Sequence, residues 1–162
     1  MATIRAHGIA AQLPNGFEGR IYVRPTLAGE SYPIGQFATF PIPDDIGDFG
    51  SGAVSLMSPD DVFATLFEYG PESLGTALFR SQGLPTSFTP ADFSPVRLRR
   101  GLPGQSGTQR FFTEAGRPFS FYAVLGSHML RASLVPSVNA LISALLISPT
   151  SMPTQATTPQ WN

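Results

Sequence analysis

Four arginines around a glycine-rich stretch form the part of the sequence best suited to binding chemistry. Arg97, Arg99 and Arg100 precede residues 101–109, and Arg110 follows them. Guanidinium groups beside accessible backbone amides bind phosphate and carboxylate groups through paired hydrogen bonds. The stretch lacks the pattern of a phosphate-binding loop. Three interpretations therefore stay open: an anion-binding loop, an exposed loop with a basic flank, or an interface, because arginine favours desolvated contacts.

The composition excludes several kinds of catalysis. All ten basic residues are arginine, and the 162-residue chain contains neither lysine nor cysteine. The chain therefore cannot form a lysine Schiff base or place a lysine in a phosphate-binding loop. It also cannot supply a thiolate as a nucleophile or as a metal ligand. The groups left for chemistry are hydroxyls, carboxylates, guanidinium groups and two histidines.

The two histidines and the acidic residues have no spacing that specifies a reaction. A zinc site or a catalytic triad would need His7 or His128 beside carboxylates, and an enzyme would need a pocket where Asp60 or Glu68 approaches a histidine. Nothing in the sequence brings these groups together. We therefore expect no catalytic residue, no metal and no cofactor, and we predict that the protein is not an enzyme.

An acidic loop offers a second, weaker candidate for ion binding. Asp44, Asp45 and Asp48 could bind Ca²⁺, but their spacing is not that of an EF-hand. Aspartates beside glycines are typical of turns in which the side chain accepts backbone hydrogen bonds. The sequence therefore favours a solvated turn over a calcium site.

Trp161 is the only tryptophan, and it lies in a tail, residues 149–162, rich in Ser, Thr and Pro. The tail has too few apolar residues to offset the entropy lost on ordering, so we expect it to be disordered when alone. Two interpretations stay open: a dangling end, or an anchor that inserts into a groove of a partner.

Charge and hydropathy limit the classes of partner and the compartment. A net charge of −1 gives no electrostatic reason to expect nucleic acid or an anionic membrane as the partner. We find no apolar run long enough to span a membrane and no secretory signal, which predicts a cytoplasmic protein, with other export routes left open. The length favours one domain, residues 1–148, followed by the flexible tail.

Hydrophobic periodicity predicts an α+β domain. The clearest strand is 17–24, in which every second residue from Phe17 is apolar or glycine. Asn15 and Gly16 predict a hairpin between this strand and an element at 3–13. We also predict strands at 34–42 and 62–69, a short helix at 72–79, a single turn at 89–92, a hairpin of 110–114 and 117–127, and a helix at 136–146. The fold expected is a mainly antiparallel sheet packed on one side by the C-terminal helix.

Three segments carry a resemblance to a known family: Leu13-Pro-Asn-Gly-Phe17, Phe121-Tyr-Ala-Val-Leu-Gly126, and 138–148. Their order resembles the PsbP-like α/β-sandwich family, and the whole chain is similar to small uncharacterised actinobacterial proteins. Phe17 stands where the family pattern has tryptophan. The resemblance implies a role in binding or assembly and supplies no catalytic residues.

Together these features predict a non-catalytic protein-binding or assembly domain. Its partner would be another protein or a second copy of the chain, contacted through a sheet face or loops. Low charge content (13%) and thirteen phenylalanines support this prediction. The candidate partner-binding residues are Arg97, Arg99, Arg100, Arg110 and Trp161. The alternative is a small-ligand or anion-binding domain that uses the Arg97–Arg110 loop.

Overall fold

The computed structural model describes residues 2–24, 31–44 and 47–150. These residues form two antiparallel sheets and one long helix, so the fold is α+β, as the sequence predicts. The strands are β1 (Thr3–Ala6), β2 (Ile9–Gln12), β3 (Glu18–Val23), β4 (Pro33–Ala38), β5 (Val62–Glu68), β6 (Ser106–Glu114), β7 (Arg117–Leu125) and β8 (Leu145–Ile147). The helices are α1 (Ser51–Val54) and α2 (Arg131–Ser143).

The larger sheet has five strands in the order β3-β4-β5-β7-β6, with every neighbouring pair antiparallel. Strand β7 is buried along its whole length, which confirms the interior position predicted from its apolar residues on both faces. The predicted hairpin around Ala115 and Gly116 joins β6 to β7. Both residues have positive φ, 53° and 72°, as a tight two-residue turn requires.

The two faces of this sheet are covered in different ways. On the inner face, Phe121 and Leu66 pack with Leu141 and Val138 of α2 and with residues of the smaller sheet in the main core. On the outer face, Phe63 packs in a smaller cluster with α1 and nearby loop residues. No helix as long as α2 covers the outer face within the described ranges, so loops and short turns shield it.

The predicted hairpin at Asn15 and Gly16 is wrong. The N-terminal hairpin instead turns at His7 and Gly8, and its second strand, β2, pairs with β8 in a separate three-stranded sheet. A turn does form at 14–17, where the backbone N–H of Phe17 donates to the carbonyl of Pro14 at 3.0 Å. This turn links strands of two different sheets, a distinction that local turn chemistry does not carry.

The predicted C-terminal helix begins too late and ends too late. Helix α2 starts at Arg131 and places Pro136 in its interior. Pro136 and Ala132 are both exposed, so the backbone hydrogen bond that proline cannot donate is missing on the solvent-exposed side of the helix. Residues 145–147 leave the helix because they pair with β2 as strand β8.

The shorter predicted elements have mixed outcomes. The helix predicted at 72–79 is two 3-10 turns, Pro71–Ser73 and Ala77–Phe79, separated by Gly75 at φ 79°. The turn predicted at 89–92 is present as the 3-10 turn Pro90–Asp92, with a capping box between Thr89 and Asp92. No helix in the described parts of the chain has the length and apolar character needed to cross a membrane.

Candidate functional site

The four predicted arginines divide into two pairs and do not converge on one point. The first pair surrounds Asp92: Arg97 Nη1 donates to its carbonyl oxygen at 2.7 Å, and Arg110 Nη2 contacts its Oδ1 at 2.7 Å. Residues 106–110 belong to β6, so the predicted glycine-rich loop ends sooner than expected and Arg110 lies in the sheet. The guanidinium of Arg110 also lies 5.5 Å from the ring centre of Phe88.

The second pair holds its loop against the outer face. The guanidinium carbon of Arg99 lies 3.6 Å from the ring centre of Phe49, within cation–π range. The backbone N–H of Arg99 donates to Tyr122 Oη at 2.8 Å, and Arg100 Nη1 donates to the carbonyl of Ser51 at 3.0 Å. Burial raises the pKa of Tyr122, so its hydroxyl stays neutral and keeps accepting this hydrogen bond.

Asp92 gives a pH-dependent test of the first pair. The backbone hydrogen bond from Thr89, followed by the charge of Arg110, holds the pKa of Asp92 below its usual value. The resulting stabilisation is present above about pH 4, the unfolded pKa, and is lost as pH falls through the lower folded pKa. We expect Asp92→Asn to lower the free energy of unfolding by about 0.2–1 kcal/mol at pH 7, because solvent screens an exposed pair.

This difference between Asp92→Asn and the unchanged protein should shrink toward zero as the pH is lowered to that of acid unfolding, measured by urea titrations at several pH values. Asp60→Asn serves as a control, because Asp60 is an exposed carboxylate at the start of a turn. A pH-independent difference for Asp92→Asn would contradict the electrostatic explanation.

The acidic loop is pinned to the sheet by its backbone and by one ion pair. Asp48 binds Arg24 through Oδ1 at 2.5 Å and accepts a hydrogen bond from Tyr22 Oη at 3.2 Å. Gln36 and Thr65 donate to its carbonyl oxygen at 3.2 and 2.9 Å. Among the described residues, no three His, Asp or Glu side chains are placed to hold a metal ion. Of the predicted acids, Asp45 lies outside the described residues.

The histidines lie near opposite ends of β7. Arg117 at its start donates to the carbonyl of His7 at 3.0 Å, whereas His128 follows its end, after Leu125. A strand of this length spans roughly 27 Å. The two imidazoles therefore cannot act in one site within a single molecule.

A buried ion pair joins the two sheets. Arg117 Nε and Nη2 donate to the two carboxylate oxygens of Glu68 at 3.0 and 2.6 Å. The same guanidinium donates to the carbonyls of His7 and Ser148 at 3.0 and 2.9 Å. The side chains are only 4% and 7% exposed, so the pair is shielded from solvent screening. Gly8 permits this approach, because a Cβ there would lie 2.6 Å from Arg117 Nη1.

A cleft of about 580 Å³ opens beside this ion pair, and both an acid and a histidine are among its lining residues. His7, Tyr32, Glu68 and Arg117 are among its lining residues. Both carboxylate oxygens of Glu68 already accept hydrogen bonds from Arg117. Glu68 is therefore engaged in holding the fold together rather than offered to a substrate.

A row of aromatic side chains runs across the outer face and is the feature that sequence reasoning missed. We call it the outer aromatic row, and it consists of Phe49, Phe67, Tyr69, Phe79 and Phe111. Neighbouring ring centres are close: 4.9 Å for Phe49–Phe67, 4.9 Å for Phe67–Tyr69, 5.1 Å for Tyr69–Phe79 and 5.6 Å for Phe79–Phe111. These spacings are those of mutually packed rings.

The outer aromatic row reaches the surface. All its members except Phe79 are partly exposed, and the flanking Leu74 and Leu78 are 38% and 57% exposed. Pockets of about 270 and 240 Å³ open beside Tyr69, the first shared with Leu74 and the second with Phe67. Tyr69 Oη lies 3.1 Å from Ser120 Oγ, which fixes its ring.

The sequence contained a partial signal for this row. Alternation in β5 places Phe63, Thr65 and Phe67 on one face and Val62, Ala64 and Leu66 on the other, so both faces look suited to a core. The alternation alone marks Phe63 and Phe67 equally as core positions, but Phe63 is buried and Phe67 is partly exposed. Trp161, the remaining predicted site residue, lies outside the described residues.

No family model, no curated protein and no solved structure matches this chain. The resemblance to the PsbP-like family therefore stays a prediction.

Proposed function

We propose that this chain is a non-catalytic protein-binding or assembly domain, and that its binding surface is the outer aromatic row. The observation that supports the proposal is the continuous line of ring contacts from Phe49 to Phe111, with partly exposed rings along it. Large, rigid aromatic side chains contribute most of the binding energy in protein interfaces, because they bury much area with little loss of conformational entropy.

The surroundings of the row match the anatomy of an interface. Exposed Leu74 and Leu78 extend the apolar surface at one end, where Phe79 packs against Tyr69. At the other end, Arg99 covers the ring of Phe49, and the ion pair of Arg24 with Asp48 lies beside the pocket of Phe67. An apolar centre with a polar rim is the arrangement found in specific interfaces.

The four arginines enter the proposal in different roles. Arg99 and Arg100 form part of the rim, because they hold loop residues on the outer face. Arg97 and Arg110 meet at Asp92: its backbone carbonyl accepts a hydrogen bond from Arg97, and its carboxylate offsets the charge of Arg110. This division gives the alternative, an anion-binding loop over Arg97–Arg110, less support than the aromatic surface.

A selection of displayed peptides against the 162-residue chain tests the proposal directly. We expect enriched peptides to bind with an affinity that falls about 30-fold or more in Phe111→Ser, because loss of an aromatic side chain that anchors an interface costs about 2 kcal/mol or more. Val96→Ser is the matched control, because Val96 is 89% exposed and does not belong to the row.

Circular dichroism and thermal unfolding should first show that both variants are folded. The proposal is wrong if no peptide is enriched, or if Phe111→Ser and Val96→Ser bind the enriched peptides as well as the unchanged protein does.

A further inference from the structure

We propose that residues 151–162 of the same molecule dock on the outer aromatic row, with Trp161 as the main contact, and compete there with a protein partner. The inference rests on the proposed function, because it names an occupant that regulates access to the same surface.

The path of the chain leads to the row. Thr150, the last described residue, lines the pocket of about 270 Å³ together with Tyr69, Leu74 and Pro71. Tyr69 is a central member of the row, in ring contact with Phe67, Phe79 and Phe111. The described part of the chain therefore ends beside the outer aromatic row.

The composition of residues 151–162 suits an aromatic surface. The segment contains no charged residue, and its ring-bearing side chains are Pro153, Pro159 and Trp161. Proline-containing segments bind aromatic-lined grooves at a low entropic cost, because proline restricts the unbound chain. Tryptophan is the side chain most enriched at the centres of interfaces.

The length of the segment also permits docking. Trp161 lies eleven positions after Thr150, and eleven extended residues span at most about 36–40 Å. A domain of roughly 150 residues has a radius of gyration of about 15 Å, so Trp161 can reach any member of the row. A short tether raises the local concentration of the segment to the millimolar range, so weak contacts suffice for occupancy.

The intrinsic fluorescence of Trp161 tests the inference in the full chain, because it is the only tryptophan. We expect the intact protein to show blue-shifted emission and several-fold weaker quenching by acrylamide than a water-exposed indole. Phe111→Ser and Tyr69→Ala should shift the emission to the red and restore quenching, whereas Val96→Ser should change neither. The shift should be independent of protein concentration.

Two results would overturn the inference: emission of a water-exposed indole in the intact chain, or a blue shift that appears only as concentration and dimer content rise. The second would assign the contact to another copy of the chain. A blue shift that survives both Phe111→Ser and Tyr69→Ala would also overturn it, because Trp161 would then be buried elsewhere.

Peptide binding separates this inference from the proposed function. In the full chain, Trp161→Ala should bind the selected peptides several-fold more tightly, because the competitor is weakened. Peptides that bind the row equally well with and without Trp161 would refute the competition while leaving the protein-binding function in place. A blue shift in the absence of any peptide binding would refute the proposed function and retain the docking contact.

Discussion

Arg117→Ala is expected to lower the free energy of unfolding by about 3–5 kcal/mol, because it leaves the carboxylate of Glu68 buried without a partner. Glu68 is 7% exposed, and both its oxygens accept hydrogen bonds from Arg117 in the structure. The variant also loses the hydrogen bonds to the carbonyls of His7 and Ser148, which attach the smaller sheet. Urea denaturation followed by circular dichroism measures the loss.

A double variant separates the ion pair from the space it fills. We expect Arg117→Met combined with Glu68→Leu to be more stable than Arg117→Ala, because two apolar side chains leave no unpaired buried charge. If Arg117→Ala costs less than about 1 kcal/mol, the pair behaves like an exposed one. That result would contradict the conclusion that Arg117 and Glu68 form a buried ion pair.

Phe121→Ala is expected to cost about 3–5 kcal/mol, the range found for buried aromatic residues replaced by alanine. Phe121 is 0% exposed, lies in the middle of β7 and stacks on Phe88 at 5.7 Å between ring centres. Removing its ring leaves a cavity between the sheet and the segment that carries Phe88, which the surrounding residues refill only in part.

Phe111→Ala is the matched control for this prediction, because Phe111 lies in the neighbouring strand β6 on the opposite face and is partly exposed. We expect it to cost less than half as much, measured by the urea midpoint at constant slope. Equal losses for the two variants would show that the outer face is as tightly packed as the inner core, and would weaken the case for a binding surface there.

Local patterns predicted the elements that residue types within a few positions are enough to mark. The alternation of 17–24 and 62–69 corresponds to β3 and β5, and Ala115-Gly116 marks the hairpin of β6 and β7. In each case the period of two and the turn residues act within a few positions. The packing of the C-terminal helix on one face of the sheet was also predictable, because a half-apolar sheet needs a cover.

Long-range pairing could not be predicted from the same patterns. Strand β8 has three residues and continues the apolar run of α2, so nothing local distinguishes it from helix. Its partner β2 lies near the other end of the sequence and belongs to a different sheet from β3. The choice between helix and strand at 145–147 is made by tertiary contacts, which outweigh intrinsic propensity.

The candidate site shows the same limit. The arginines were recognised by residue type, but their partners Asp92, Phe49 and Ser51 are set by loop geometry. Glu68 and Arg117 are 49 residues apart, so their pairing was not visible. One signal was present: both occupy inward positions of their strands, where a charge needs a partner.

The hydrogen bonds of Arg117 to the carbonyls of His7 and Ser148 affect how the chain folds during synthesis. Arg117 bonds to His7, 110 residues earlier, and to Ser148, 31 residues later. The first hairpin therefore cannot be secured until almost the whole domain has left the ribosome. Contacts of such long range form late, because closing a large loop costs entropy before the stabilising contacts are made. Until then, the first two strands of the nascent protein are not attached to the rest of the domain. A stalled or shortened chain would expose them to aggregation.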